Sequence, residues 1–283
     1  MLMPSFVFGQ MMFFTQVPAG SSYSTEYQAV LDEISTQGWT EPSEAQKLDG
    51  DSLCICLVAN SIWDELDWLM IARNVADKDQ ALGIDWKNPS SPAFATTEPG
   101  GSIAWTTSTG FRKNSSAIYI NMGWAPNDGI NYTQNNASIG FWGDNFVSAS
   151  QTSGAYMFGS RLSSTNYVTW GSAHKGGAIK SFRYAGNSGA ITVAANTYSG
   201  ENMAYVFRQN SSTHNHGLDG TTFHSASETS QFLLTYDLFL FGINNTGTYQ
   251  SEALLNSEIH AAWAGSGDID FSDLHTCLDN FFN

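Results

Sequence analysis

The stretch "NSIWDELDWLM", residues 60–70, sets three carboxylates, Asp64, Glu65 and Asp67, between Trp63 and Trp68. Glycoside hydrolysis needs two carboxylates, one as acid and one as base or nucleophile, and sugar faces stack on flat rings. On a strand, Glu65 and Asp67 fall on one face. A second group is "THNHGLDG", residues 213–220, where His214 and His216 face the same way on a strand and Asp219 lies nearby. Two histidines and a loop acid fall short of a closed metal site, so the plainer reading is a polar loop or hairpin tip. His174 and His224 add no spacing that improves it. A third group is aromatic. Of the nine tryptophans, Trp124 in "GWAPNDG" and Trp170 in "VTWGSAH" sit beside turn residues. A lectin site asks for a ring flanked by Asn or Asp, which makes Trp124, Asp128 and Trp170 the expected ligand-binding residues. The chain carries no G-x-S-x-G elbow, P-loop, G-x-G-x-x-G or H-E-x-x-H, so the common signatures of serine hydrolases, nucleotide binders and zinc proteases are missing.

The composition describes what must hold these groups. Charged residues make up 13% of the 283, hydrophobic residues 42%, and Gly, Ser, Thr and Asn fill the gap. That balance suits a β-sandwich or barrel rather than a helical protein. The net charge is −15 with 11 Lys and Arg. Without a basic run to neutralise phosphates, nucleic acid and anionic membrane surfaces are poor partners. No apolar run is long enough to cross a membrane, so no membrane insertion is expected. Cys54, Cys56 and Cys277 are an odd number and form no C-x-x-C. They read as buried free thiols, with a bridge from Cys277 to one of the pair as the alternative.

The elements follow from periodicity. "STEYQAVLDEIST" places Tyr27, Val30, Leu31 and Ile34 on one helical face, with Thr25 and Gln28 as a capping box and Gly38 as the stop. A second helix starts at Ser43 with Gln46 repeating the box, and Leu48, Ile55, Ala59 and Ile62 are expected on its inner face, with Gly50 as a weak point. "LDWLMIA" is the first core strand, and short strands such as "ASIGFWG", "AYMFGS", "YVTWGS", "MAYVFRQ", "QFLLTYDLFLFGIN" and "SEIHAAWAG" follow between turn residues. "DFSDLHTCLDNFF" returns to helix, with Leu274, Cys277, Leu278 and Phe281 on one side. The expected layout is an apolar arm over 1–22, a two-helix cap over 23–62 and a β-sandwich with a C-terminal helix over 63–283. The arm has no Lys or Arg before its apolar part, and Pro4, Gly9 and Gln10 interrupt it, which speaks against a secretory leader. Its Phe6, Phe8, Met11, Phe13 and Phe14 are the expected docking residues for another chain.

The order of four motifs resembles the laminin-G-like, concanavalin-A-like jelly-roll proteins found among the structural genes of tailed bacteriophages. They are "YQAVLDEISTQGWTEPS", then "SIWDELDWLMIARN" with the later "ALGIDWKNP", then "DGINYTQNNASIGFW", and the closing stretch from "DLFLFGINN" through "GSGDIDFSDLHTCLDNFF". The resemblance covers roughly residues 23–282. It implies a mainly β protein, an antiparallel jelly-roll sandwich with helices at one end. It further implies a non-enzymatic virion protein on the particle surface: a receptor-binding or host-adhesion module of tail-fibre type, or else a capsid decoration, collar or fibre-anchoring piece held by its arm. Partners would be other virion proteins, a host surface glycan and further copies of the chain as a homotrimer. The family has no shared catalytic residues to carry over, and fold alone does not fix function. Glucanases on the concanavalin-like fold carry Glu-x-Asp-x-x-Glu. Here Glu65 and Asp67 supply the first half and Met70 stands where the second Glu would be, so the acids are expected to accept backbone N–H groups where helix gives way to strand, with Trp63 and Trp68 in the core. No cofactor is expected. Calcium is the one ion that relatives suggest, at Asn-rich turns such as those of Asp128 and Asp144.

Overall fold

The computed structural model describes residues 23–90, 96–97, 103–114, 118–145, 154–162, 167–173, 179–181, 191–193, 200–227, 229–230, 233–250 and 256–283. The expected docking residues Phe6, Phe8, Met11, Phe13 and Phe14 lie outside them. The chain opens with helices α1 (Thr25–Gln37), α2 (Glu44–Ala59) and α3 (Ile62–Glu65), strand β1 (Leu66–Ile71) and helix α4 (Lys78–Gly83). Strands β2 (Thr96–Thr97), β3 (Ala104–Thr106), β4 (Gly110–Arg112), β5 (Tyr119–Asn121), β6 (Ala137–Asp144), β7 (Gly154–Arg161), β8 (Tyr167–Ala173), β9 (Ile179–Ser181) and β10 (Ile191–Val193) follow. Then come β11 (Asn202–Arg208), β12 (Thr213–Leu218), β13 (Thr221–Ser227), β14 (Phe239–Leu240), β15 (Ile243–Asn245), β16 (Thr248–Gln250), β17 (Glu258–Gly265) and helix α5 (Phe271–Phe282).

One sheet runs β13-β12-β11-β6-β17-β4-β3, with β1 also on β17. The other runs β16-β15-β7-β14-β5-β2, with β8 also on β7, and is antiparallel except where β15 meets β7. The sheets bury one apolar core in which Trp68 of β1 meets Phe158 of β7 at 6.2 Å between ring centres. β17 is buried along its whole length, as a central strand covered on both faces must be. This is the mainly β sandwich with a small helical cap and a C-terminal helix that the sequence led us to expect.

The helices depart from expectation in instructive places. The cap of α1 is Ser24, one residue before Thr25, and its hydroxyl accepts the Tyr27 N–H. The Ser43–Gln46 box on α2 forms as expected. The buried face of α2 is not the expected one: Gly50, Leu53, Cys54 and Leu57 point inward, while Leu48, Ile55 and Val58 are exposed, Ile55 by 52%. The cause is Gly50. A Cβ there would come within 2.3 Å of the Tyr27 ring, so the glycine lets α1 and α2 close together rather than breaking the helix, and that contact sets which face turns in. Cys54 is a buried thiol, whereas Cys56 and Cys277 form a disulfide with Cα atoms 5.7 Å apart. The free-thiol reading therefore holds only for Cys54. The bridge ties α2 to α5, whose Leu274, Leu278 and Phe281 pack inward as the periodicity required. "QFLLTYDLFLFGIN" is not one strand: its described part holds only β14 and β15, separated by a turn at Phe241, whose φ is +60°.

Candidate functional site

Asp67 is the centre of the local geometry. In the β1–β17 pairing, Leu66 lies opposite Gly265 and Trp68 opposite Ala264, so Asp67 is the extra residue of a bulge. A bulge re-aims the side chain it carries, and here it turns the carboxylate onto the loop 129–132. Asp67 Oδ1 accepts the N–H groups of Ile130 at 3.0 Å and Asn131 at 2.9 Å, and Oδ2 accepts that of Tyr132 at 2.6 Å. Gly129 is needed beside it, because a Cβ there would lie 2.7 Å from Asp67 Oδ2 and 2.6 Å from Tyr132 Cβ. The Asn131 side chain donates to the Asp64 carbonyl at 2.7 Å, and that of Asn88 to the Asp67 carbonyl at 3.0 Å. Of the opening acids, Asp67 thus accepts backbone donors, as expected, but those of a distant loop rather than of the helix-to-strand junction. Asp67 cannot attack a sugar or take up a proton without releasing that loop. Trp63 and Trp68 are buried.

The same contacts shape a cleft of about 630 Å³ lined by Asp64, Asp67, Lys87, Asn88, Trp124 and Asp128 among others, well within the range of small-ligand sites, about 300–1,000 Å³. The expected residues Trp124 and Asp128 therefore come together on its wall. Trp124 is half-buried and meets Tyr132 edge to face at 5.4 Å, so Asp67, by holding Tyr132, holds the tryptophan platform. Asp128 sits exposed on the short 3-10 turn Pro126–Asp128 and accepts the Ala125 N–H at 3.0 Å. Beneath them Asp85 is buried and accepts the N–H groups of Leu69 and Lys87, both at 3.0 Å, and the Asn88 amide at 3.2 Å. Burial pushes its carboxyl up to about 6 against these bonds. Lys87 turns its ammonium inward, donating to the Trp63 carbonyl at 2.6 Å and lying 5.2 Å from the Trp63 ring centre. Burial lowers its pKa, against the pull of Asp64, Asp67 and Asp85. Chemically, the cleft offers one flat ring, outward carboxylate acceptors and few donors.

The other expected residues lie elsewhere. Trp170 is on β8 opposite Phe158 of β7, and its side chain lies outside the described residues. Asp144, at the end of β6, accepts the Asn145 N–H at 2.6 Å and is in a different loop from Asp128. His214 and His216 are not at a hairpin tip: both are buried on β12. His224, whose spacing adds nothing to the group in the sequence, pairs directly across from His216 with ring centres 5.8 Å apart. Among the described residues no three His, Cys, Asp or Glu side chains are placed to hold a metal ion. A second polar cluster was not anticipated. Glu201 receives Arg73 at 2.6 Å, His260 Nδ1 at 3.0 Å and the Trp142 indole N–H, and Arg73 also donates to the Phe282 carbonyl at 2.9 Å. This network locks the end of α5 to the sheet. Of the cleft residues not singled out beforehand, Lys87 and Asn88 lie in "WKNP" and Asn131 in "GINY", both quoted motifs whose loops meet only in three dimensions.

The fold is a jelly-roll β-sandwich with helices at one end and a surface cleft at Trp124. No protein-family model and no curated protein matches the sequence. Solved structures do match in fold. The receptor-binding domain of botulinum neurotoxin D gives a TM-score of 0.53 at 12% identity, over 77% of this chain and 53% of that one. The ligand-binding domain of that serotype in complex with N-acetylneuraminic acid gives 0.52 at 12%, over 81% and 52%. A Trypanosoma rangeli sialidase mutant displaying trans-sialidase activity gives 0.56 at 8%, over 82% and 39%. The chain spans about half the length of the toxin domains it matches and less of the sialidase. At these identities the likeness is one of fold.

Proposed function

We propose that this chain is a non-enzymatic receptor-binding module on the surface of a bacteriophage particle, and that it takes a host surface glycan in the cleft at Trp124. The observation that carries the glycan reading is the half-buried Trp124 ring in a cleft edged by the outward carboxylates of Asp64 and Asp128. A sugar's C–H face stacks on such a ring while its hydroxyls donate to the acids. The fold is shared with a toxin domain whose complex holds N-acetylneuraminic acid, which supports a sugar-binding use of the scaffold. The phage assignment rests on the four motifs. The absence of hydrolysis rests on Asp67, whose two oxygens are committed to three N–H groups. A glycan array with the wild-type chain is expected to show binding that Trp124→Ala abolishes. Equal signals from wild type and Trp124→Ala would refute the site. Binding needs no cofactor and is expected to survive EDTA; loss with EDTA and recovery with calcium would reassign Asp128 as an ion ligand.

The second reading is a structural piece of the particle, and the exposed face of α2 favours it. Leu48, Ile55 and Val58 are exposed apolar side chains on the outer side of that helix, set among Glu44, Asp49 and Ser52, and a group of exposed apolar side chains is one mark of a contact surface. The partner we give this face is a second copy of the chain, in the homotrimer, with Phe6, Phe8, Met11, Phe13 and Phe14 anchoring the assembly to a neighbouring virion protein. If the chain lacking residues 2–20 still enters particles at normal occupancy, the arm is no anchor.

A further inference from the structure

We infer that the Trp124 cleft selects uncharged or amine-bearing sugars and rejects sugars carrying a carboxylate, an inference that rests on the glycan reading of the same site. Among the described residues, the ionisable groups lining the cleft are four aspartates, Asp64, Asp67, Asp85 and Asp128, and one lysine, Lys87. They are not equally available to a ligand. Asp67 is compensated by three backbone N–H groups, and Asp85 lies buried beneath the surface with three donors of its own. Asp64 and Asp128 are left exposed on the wall.

A carboxylate-bearing sugar needs a cation, best an arginine fork, to replace the water it sheds. No arginine lines the cleft among the described residues, and the Lys87 ammonium is committed inward to the Trp63 carbonyl at 2.6 Å. The chain's net charge of −15 has the same sign as the cleft, so the long-range field also opposes an anionic ligand. A neutral sugar meets no such penalty: its hydroxyls donate to Asp64 and Asp128 in charge-assisted bonds. A free amine on the sugar adds attraction to both acids. The toxin domain of like fold is seen with N-acetylneuraminic acid, an acidic sugar, so the two proteins would differ in charge preference on a common fold.

The test is a binding titration of the full chain against paired glycans that differ in one group: each neutral oligosaccharide beside its sialylated form, and each N-acetylated one beside its free amine. At low salt the neutral member is expected to bind about tenfold tighter than its acidic partner, the size of two exposed like charges acting across a partly wet cleft, and the amine form tighter than the N-acetylated one. High salt is expected to narrow both gaps. Asp64→Lys is expected to remove or reverse the preference over the acidic partner; its side chain is exposed and only its backbone carbonyl holds Asn131, so the fold is kept. Sialylated members binding as well as or better than neutral ones would overturn the inference while leaving the glycan reading intact. No binding by any member would overturn the glycan reading, and this inference with it.

Discussion

Replacing Asp67 by alanine removes the pin between β1 and the loop beneath Trp124. The carboxylate accepts three successive backbone N–H groups at 3.0, 2.9 and 2.6 Å. Hydrogen bonds to a charged group contribute about 1.5–3 kcal/mol each. The site is half-exposed, so water re-satisfies part of what is lost, and a net cost of about 3 kcal/mol follows. For a chain of this size each kcal/mol moves Tm by about 2–4 °C, so Asp67→Ala is expected to melt roughly 6–12 °C below wild type. Asp67→Asn keeps one acceptor oxygen and sets an amide N–H₂ against the remaining donors, so it falls in between. Because Tyr132 carries both the shortest of these bonds and the Trp124 ring, at 5.4 Å, the variants that fold are also expected to lose glycan affinity. Thermal melts by circular dichroism beside the array decide it. A Tm within about 2 °C of wild type would refute the claim that Asp67 organises the cleft, and loss of a glycan-cleaving activity without loss of stability would restore it as a catalytic acid.

Three further predictions concern the scaffold. Thermal stability is expected to peak at about pH 4.5 and to fall on both sides. Burial would raise Glu201, but His260, Trp142 and Arg73 hold its carboxyl down to about 2, so its contribution is full above its ordinary 4.5 and lost as pH falls below that. On the alkaline side, burial would lower His260, but Glu201 and Glu258 hold it above its ordinary 6.5, so its stabilisation is lost as pH rises past that range. Asp85, raised from 3.8 to about 6, loses its contribution as pH rises across that interval and adds no further slope above it. Glu201→Gln should flatten the acid limb of melts taken across pH, and an unchanged limb would contradict this assignment. Cys56→Ser opens a bridge spanning 221 residues; at about 3–5 kcal/mol for so long a loop, it should lower Tm by roughly 10 °C, as should reduction of the wild type, and a shift too small to measure would show that the bridge is not formed in solution. Ile55→Asp is expected to dissociate the oligomer in sedimentation; a wild type already monomeric would remove the second copy from α2.

The layout of the sandwich was legible because local patterns and tertiary contacts agree. Ser43 with Gln46, the Gly38 stop, the start of β1 after "IWDE" and the α5 face all depend on near neighbours, and the structure carries each. Errors came where a distant residue decides. The face of α2 is chosen by the Tyr27 ring over Gly50, not by the periodicity of α2, which carries apolar side chains on both sides. Nothing local marks Cys56 as the mate of Cys277, 221 residues on. His224 meets His216 only through the β12–β13 register. For the cleft, residue type was enough to find Trp124 and Asp128, whereas Lys87 and Asn88 needed the fold, since the loop that carries them is brought to Trp124 by β1 and the bulge at Asp67.

A crystal structure of the chain soaked with the tightest neutral glycan from the array would show whether the Trp124 cleft is the sugar site. A sugar ring is expected stacked on Trp124 with hydroxyls on Asp64 or Asp128. A glycan bound at any other surface, with the Trp124 cleft empty in the same crystal, would contradict it.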